Sequence, residues 1–342
     1  MSELRINNIT DRAGSSGPII AGVSTVTSTS HMVMPSGPTE MRGGRGRGVF
    51  MGAYNIPSPY RTANMDMIEI ATTGDATDFG DLNTIWYLLG GCASATRGTW
   101  FPGYDQSTAI STIFYVTISS SGGVNDFGDT LSKSRNHSGA CSDSTRAVRA
   151  EGYNADLSTR TNTLEFITIA STGDSSNFGD LNRVVSDMAG SFASPTRGFF
   201  GAGKGPETNI IDFITIQSKG NAIDFGDLID GTRAEGSGSA NSTRGLFFGG
   251  SGPGSADTIQ FITMATLGNA TDFGNLSTLI ESGGACASST RGLYAGGSPP
   301  SKINNIEFVT IASTGNATDF GDRTVTGFGV GACSDVHGGL GD

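Results

Sequence analysis

Charge is scarce in this 342-residue chain: Asp, Glu, Lys and Arg make up 15% of it, with 32 acidic side chains against 21 basic ones. A formal net charge of −11 leaves no basic face for a phosphate backbone, so no nucleic-acid partner is expected. Long apolar runs are missing as well. None reaches the roughly 18–20 residues of a helical membrane span, and no membrane partner is expected. The opening Met1-Ser-Glu-Leu-Arg-Ile-Asn-Asn8 lacks the basic and apolar regions of a secretory leader, so the expectation is a soluble protein assembled in a cytoplasm. Histidine is limited to His31, His137 and His337, which fall in an N-terminal stretch, a variable connection and the tail. No nucleophile–base pair can be assembled around them, and no catalytic residue is assigned. Cysteine occurs only as Cys92, Cys141, Cys286 and Cys333, one in each of four copies of a repeated block, with Phe192 and Ser239 at the same place in the other two. Ligands spread in this way do not converge on a metal. They read as small buried strand residues, and neither a metal nor a cofactor is expected.

Glycine is abundant, with 52 residues clustered at turns and strand ends. The repeated block is marked by Asp-Phe-Gly-Asp or a near copy. Its phenylalanines are Phe79, Phe127, Phe178, Phe225, Phe273 and Phe320, spaced 47 to 51 residues apart. A fixed period of this size indicates a solenoid or a propeller. In the copy at residues 282–322, Gly283-Gly-Ala-Cys-Ala-Ser288 reads as a short strand of small residues. Thr290-Arg291-Gly292 turns the chain into Leu293-Tyr-Ala-Gly-Gly297, a second strand. Ile306-Glu-Phe-Val-Thr-Ile311 is a third, β-branched and aromatic, and Gly315-Asn-Ala-Thr-Asp-Phe-Gly-Asp322 makes a turn and a shorter fourth. Four strands per copy describe one propeller blade.

This order of strands, with paired glycines closing the second, resembles the kelch repeat, with Phe of Asp-Phe-Gly where that family usually has Trp. The resemblance implies an all-β, six-bladed kelch-like β-propeller over residues 46–342. The strand Gly48-Val-Phe-Met-Gly52 has no small-residue partner before it, and Gly331-Ala-Cys-Ser-Asp335 has none after it. Pairing the two, with a last strand at about 329–336, completes the first blade and hides two edges.

The Asp-Phe-Gly motif also matches the magnesium-binding motif of protein kinases, but six copies without the companion kinase motifs make that a coincidence. Its carboxylates, among them Asp81, Asp129, Asp180, Asp227 and Asp322, suit either turn hydrogen bonds or calcium, and turn chemistry better tolerates Asn177 and Asn275. Thr-Arg-Gly recurs at Arg97, Arg197, Arg244 and Arg291. By strand parity these arginines share a face with the Asp-Phe-Gly-Asp turns, so Arg–Asp pairing is expected, with anion recognition as the alternative. The opposite face carries the connections that differ most. Function concentrates on loops of a rigid scaffold, and Tyr, Trp and Arg dominate binding hot spots. The candidate receptor-binding residues are therefore Tyr60, Arg61, Trp86, Tyr87, Tyr104, Arg135, His137, Tyr153, Lys204 and Arg233.

Residues 1–45 do not repeat and are too short for a core of their own, which suits a segment that orders against another chain. Leu4-Arg-Ile-Asn-Asn-Ile-Thr-Asp11, Ser16-Gly-Pro-Ile-Ile-Ala-Gly-Val23 and Arg42-Gly-Gly-Arg-Gly-Arg-Gly-Val-Phe50 are similar to N-terminal sequences of tailed-phage structural proteins, especially those of marine cyanophages. Phe308-Val-Thr-Ile-Ala-Ser-Thr-Gly-Asn-Ala-Thr-Asp-Phe-Gly-Asp322 resembles their repeats. The resemblance implies a non-enzymatic virion protein such as a tail fibre. Residues 1–45 would hold other virion proteins, the loops would bind a host surface glycan or outer-membrane protein, and a homo-oligomer would be unsurprising. Capsid or neck decoration and a glycan hydrolase or lyase are the alternatives.

Overall fold

The computed structural model describes residues 46–54, 61–83, 86–104, 109–134, 138–205, 209–229, 234–252, 257–298 and 301–336; the segment 1–45 lies outside them. Among the described residues every regular element is a β-strand. The first repeat contributes β1 (Arg47–Tyr54), β2 (Arg61–Glu69) and β3 (Thr77–Asp81). The second gives β4 (Gly90–Ala93), β5 (Arg97–Phe101), β6 (Ile110–Thr117) and β7 (Asn125–Ser134). The third gives β8 (Gly139–Ser142), β9 (Arg146–Ala150), β10 (Tyr153–Asn154), β11 (Thr159–Thr168) and β12 (Ser176–Val185). The fourth comprises β13 (Gly190–Ala193), β14 (Arg197–Gly201), β15 (Ile210–Thr215) and β16 (Ile223–Asp227). The fifth comprises β17 (Ser237–Ala240), β18 (Arg244–Phe248), β19 (Thr258–Thr263) and β20 (Thr271–Asn275). The sixth has β21 (Gly284–Ala287), β22 (Arg291–Ala295), β23 (Asn305–Thr310) and β24 (Thr318–Asp322), and β25 (Gly331–Ser334) follows.

The strands form small antiparallel sheets in a propeller-like arrangement. Four sheets have four strands, in the orders β25-β1-β2-β3, β13-β14-β15-β16, β17-β18-β19-β20 and β21-β22-β23-β24. Six separate sheets were expected; instead the second and third repeats share one sheet of nine strands. The cause is local. β7 and β12 each run ten residues, twice the length of β3, and the far end of β7 meets the extra hairpin strand β10 through the pair Asn154↔Ser134. The pairing of the last strand with the first is present, with Gly48 opposite Ser334 and Met51 opposite Gly331.

Second strands are buried on both faces, as in Arg197–Gly201, and read as unbroken apolar runs. The fourth strand departs from expectation. Asp-Phe-Gly-Asp lies wholly within the short fourth strand, as in Thr318–Asp322, and carries a β-bulge that was not expected. In the first repeat Met65 faces Gly80 while Asp66 faces Asp78, so Phe79 is the extra, unpaired residue. The same shift leaves out the motif phenylalanine in every repeat. A bulge bends its strand and re-aims one side chain, and here it sends the phenylalanine into the core, where Phe79, Phe127, Phe178, Phe225, Phe273 and Phe320 are all buried. The following glycine takes φ of +144° to +156°, a conformation costly for residues with a Cβ. It also lies against the next repeat: a Cβ on Gly274 would stand 2.4 Å from Gly315 O.

Candidate functional site

On the face shared by the third-to-fourth turns, five of the six repeats build the same joint, the first having Met67 in place of its ring. The arginine that opens the second strand lays its guanidinium over an aromatic ring of its own third strand, 4.3–4.9 Å from the centroid of Tyr115, Phe166, Phe213, Phe261 or Phe308. That ring meets the motif phenylalanine edge-on, with centroids 5.9–6.1 Å apart. The same arginine donates from Nη1 to a carbonyl just beyond the third strand of the following repeat. Arg97 reaches Ile169 O at 2.7 Å, Arg197 reaches Met264 O at 3.1 Å, Arg244 reaches Ile311 O at 3.0 Å, and Arg291 reaches Ile70 O at 2.9 Å. Arg47 and Arg146 do likewise with Ile118 O and Ile216 O. The expected Arg–Asp pairing is corrected here: among these arginines only Arg47 makes an ion pair within the described residues, and it does so with Glu69. The guanidinium thus stacks on a ring while its Nη1 donates to a main-chain carbonyl.

Three of the motif carboxylates are likewise engaged. Asp78, Asp126 and Asp224 accept from the amide two residues on, which is local turn chemistry. The fourth position contributes its main-chain amide. Asp129 N donates to Asp174 Oδ1, Asp180 N to Asn221 Oδ1, Asp227 N to Asn269 Oδ1 and Asp322 N to Asp75 Oδ1, each in another repeat. Asn275 N makes the same bond to Asn316, so the side chain at this position is free to vary. At Asp81 the partner position holds Gly123. No group of three or more His, Cys, Asp and Glu side chains converges on a cation among the described residues.

The Thr-Arg-Gly glycine has a steric cause. A Cβ on Gly98 would stand 2.8 Å from Cys333 Sγ, on Gly198 2.4 Å from Cys141 Sγ, and on Gly48 2.9 Å from Cys286 Sγ. Cys141, Cys286 and Cys333 thus occupy the space left by a glycine in the next repeat, and Phe192 and Ser239 do so against Gly245 and Gly292; the third repeat holds Ala147 at this position. Burial pushes the Cys92 thiol up to about 11 and Cys286 up to about 12, with Cys141 and Cys333 also raised well above the ordinary value. Between the first strands lie two cavities of about 40 Å³ each, lined by glycine, alanine and serine and, in one, cysteine. Each has room for only a few waters.

Buried ion pairs tie repeats together nearer the opposite face. Arg323 Nε donates to Asp66 Oδ2 at 3.0 Å, both side chains fully buried, and Arg183 pairs with Asp212. Arg149 pairs with Glu165 inside the third repeat. Burial pushes Asp212 above its ordinary range despite the pull of Arg183. At the equivalent places Gln260 accepts from Ile229 N, Glu307 accepts from Ser277 N, and Phe114 packs on Trp86.

The opposite face is organised by the fourth-to-first connections. Leu88, Asp187, Glu235, Ser282 and Gly329 share φ between +48° and +74°. Their amides and carbonyls run in relay: Glu235 N to Asp187 O, Ser282 N to Glu235 O, Gly329 N to Ser282 O and Leu88 N to Gly329 O, at 2.6–2.9 Å. Beside each, one backbone bridge joins the connection to the end of a second strand. These bridges are Tyr54↔Phe328, Tyr87↔Tyr104, Ser186↔Lys204, Ala234↔Ser251 and Glu281↔Ser298. The backbone repeats while the side chains do not.

Of the residues singled out on this face, Tyr60, Arg135, His137 and Arg233 lie outside the described residues, and Arg61 is seen only as the backbone partner of Tyr54. Trp86 and Tyr87 are each 7% exposed, which withdraws their rings from direct contact with a partner. Tyr104 is half-buried in a cluster with Tyr87, Tyr54 and Phe328, Tyr153 is half-buried in β10, and Lys204 is exposed and paired with Glu235 at 3.3 Å. Sequence reasoning missed Tyr54, Phe328, Lys302 and Glu281. Aligning the bridge positions across repeats would have found the first, second and last. Glu281 has its carboxyl raised by burial and then by the neighbouring Glu235. No protein-family model matches the chain and no curated protein matches it, so the kelch and phage likenesses rest on sequence pattern alone.

Proposed function

We propose that this chain is a closed six-bladed, kelch-like propeller that serves as the non-enzymatic recognition module of a virion, with residues 1–45 holding other virion proteins. The blade count is supported by the joints. Arg97 and Ile169 link the two halves of the nine-stranded sheet just as Arg197 and Met264 link two separate sheets, and Arg291 returns to Ile70 in the first repeat. Contacts between first strands run in the order β25, β4, β8, β13, β17 and β21, and β21 touches β25 again.

The observation that carries the functional reading is the difference between the faces. One repeats the arginine joint; the other keeps the backbone bridge but changes its side chains from Tyr and Phe to Lys, Ser and Glu. A scaffold that fixes its backbone and frees its side chains is suited to binding. In this reading the variable face contacts a host surface molecule from a tail fibre or similar appendage. Locating the chain in a cryo-EM map of the intact particle tests it. A tail-tip position with Tyr104 and Lys204 outward agrees; burial of that face against capsid or neck subunits makes the chain a cement protein and ends the receptor reading.

A glycan hydrolase or lyase is the second reading, favoured by Glu235 and Glu281 standing in neighbouring connections, where Ser282 donates from its amide to Glu235 O and from its hydroxyl to Glu235 Oε2 at 3.2 Å, since such enzymes use a pair of carboxylates. Release of reducing sugar from host envelope material, abolished by Glu281→Gln, would establish it.

A further inference from the structure

We infer that the ring of repeats carries one built-in opening, the seam between the first and second repeats, which is packed by apolar side chains where every other seam is latched by hydrogen bonds. This rests on the six-repeat ring proposed above and adds where that ring yields. The internal repeat supplies the control, because the same bonds can be followed from seam to seam.

The latches fail together at this one place. At five seams the amide that ends the Asp-Phe-Gly-Asp motif donates to an Asp or Asn of the next repeat. Asp81 faces Gly123, which has no side chain to accept. At the same five seams the residue after that Asp or Asn returns a second bond, as Ser175 N does to Asp129 O at 2.8 Å and Ala76 N to Asp322 O at 2.7 Å. Val124 N makes no such bond to Asp81 O. A third latch is a polar side chain of the third strand that accepts from the preceding repeat, supplied by Glu165, Asp212, Gln260, Glu307 and Asp66. The second repeat has Phe114 there, opposite Asp126 as Glu307 is opposite Asp319. Arg47 does cross this seam to Ile118 O, but without a ring to seat it.

What fills the seam is apolar. Trp86 packs on Phe114 with ring centroids 6.3 Å apart, and both share one buried cluster with Phe79, Leu82 and Trp100. Such contact is strong but non-directional, whereas a hydrogen bond fixes register. Trp86 Nε1 and Trp100 Nε1 are also buried without an acceptor among the described residues, so each donor gains a partner once water enters. The seam between the sixth repeat and the first is the opposite case, with Asp322 N on Asp75 and Arg323 on Asp66. The first repeat therefore parts from the second while staying joined to the sixth.

Amide-resolved hydrogen exchange of the full-length protein tests this, because one bond is common to all six seams. The turn glycine donates to the carbonyl of the motif phenylalanine, as Gly122 N does to Phe79 O and Gly74 N to Phe320 O, both at 2.8 Å. The Gly122 amide is expected to exchange about tenfold faster or more than its five counterparts, the ratio that a net loss of one or two hydrogen bonds gives. Gly123→Asn installs the residue type of Asn221 and Asn269 at a position outside the left-handed region, and should remove most of that difference. Met67→Phe, which restores a ring for Arg47, is the second repair should the first not fold. A Gly122 amide as protected as its counterparts overturns the opening and leaves the ring standing. Fast exchange that neither repair slows belongs to fraying of its own turn and overturns it too. Fast exchange at Gly74 and Ala76 instead puts the break between the sixth repeat and the first, and removes the closed ring itself.

Discussion

The two faces are built from the same six repeats and obey opposite rules. On the joint face an arginine and a glycine recur because each touches the neighbouring repeat, and an aromatic ring and a bulged phenylalanine recur because they seat that arginine, so a change in one strains two repeats. On the variable face the repeat is carried by the main chain, in the relay from Asp187 to Leu88 and in the bridges beside it. Identity of side chains therefore marks where repeats hold one another, and identity of backbone alone marks where side chains are available for other work.

That comparison can be broken in several ways. The largest effect is expected from Asp66→Asn, which leaves Arg323 buried with reduced compensation; loss of about 3–5 kcal/mol should appear in denaturant unfolding. Asp66→Leu with Arg323→Met should recover most of it, and a double variant as weak as the single would deny the pair its role. Gly274→Val comes next. It forces a side chain into a glycine conformation and against Gly315 O, for a loss of about 3 kcal/mol or more, whereas Tyr104→Ser should cost under about 1 kcal/mol. Similar losses at the two sites would erase the distinction between the faces. Arg244→Ala removes a stacked cation and its carbonyl bonds and should cost about 1–2 kcal/mol, with Arg244→Lys restoring only part. The smallest effect has the opposite sign. Ser239 Oγ is buried without a partner where four other repeats have cysteine, so Ser239→Cys should stabilise by about 1 kcal/mol, measured as a higher denaturation midpoint.

The thiols add a pH test of the joint face. Their folded values lie above the ordinary 9.0, so the unfolded chain releases these protons first as pH rises. Stability should be unaffected below pH 9 and fall from there toward about 11 for Cys92 and about 12 for Cys286. Replacing the four cysteines by alanine should flatten that slope; an unchanged slope would assign the alkaline loss elsewhere.

Much of the fold was legible because period and strand chemistry are local. Four strands per repeat, the small first strand and the pairing of Gly331–Ser334 with β1 all follow from short motifs. The bulge was not, because Asp, Gly and Asp side by side carry the composition of a turn, and only pairing with the third strand shows Phe79 as the extra residue. The arginine acceptors were hidden for a different reason: a main-chain carbonyl leaves no trace in sequence. Trp86 was misread because it stands in a connection, where burial is set by Phe114 in the next repeat and not by any period along its own strand. Extension of β7 toward β10 depended on one tertiary pair, Asn154↔Ser134.

One consequence concerns force. The chain enters its first sheet at Gly46, and Asp335 Oδ1 accepts from the amides of Gly46 and Arg47 at 3.0 and 2.8 Å. In the later repeats a Ser, Asp or Asn three residues before the arginine performs this task within a single turn. β1 lies between β25 and β2. A pull along β1 from residues upstream of Gly46 therefore loads both ladders in parallel, so the bonds must slide together and cannot open one at a time. A tether attached there is anchored in shear, the geometry in which a short strand resists tension best.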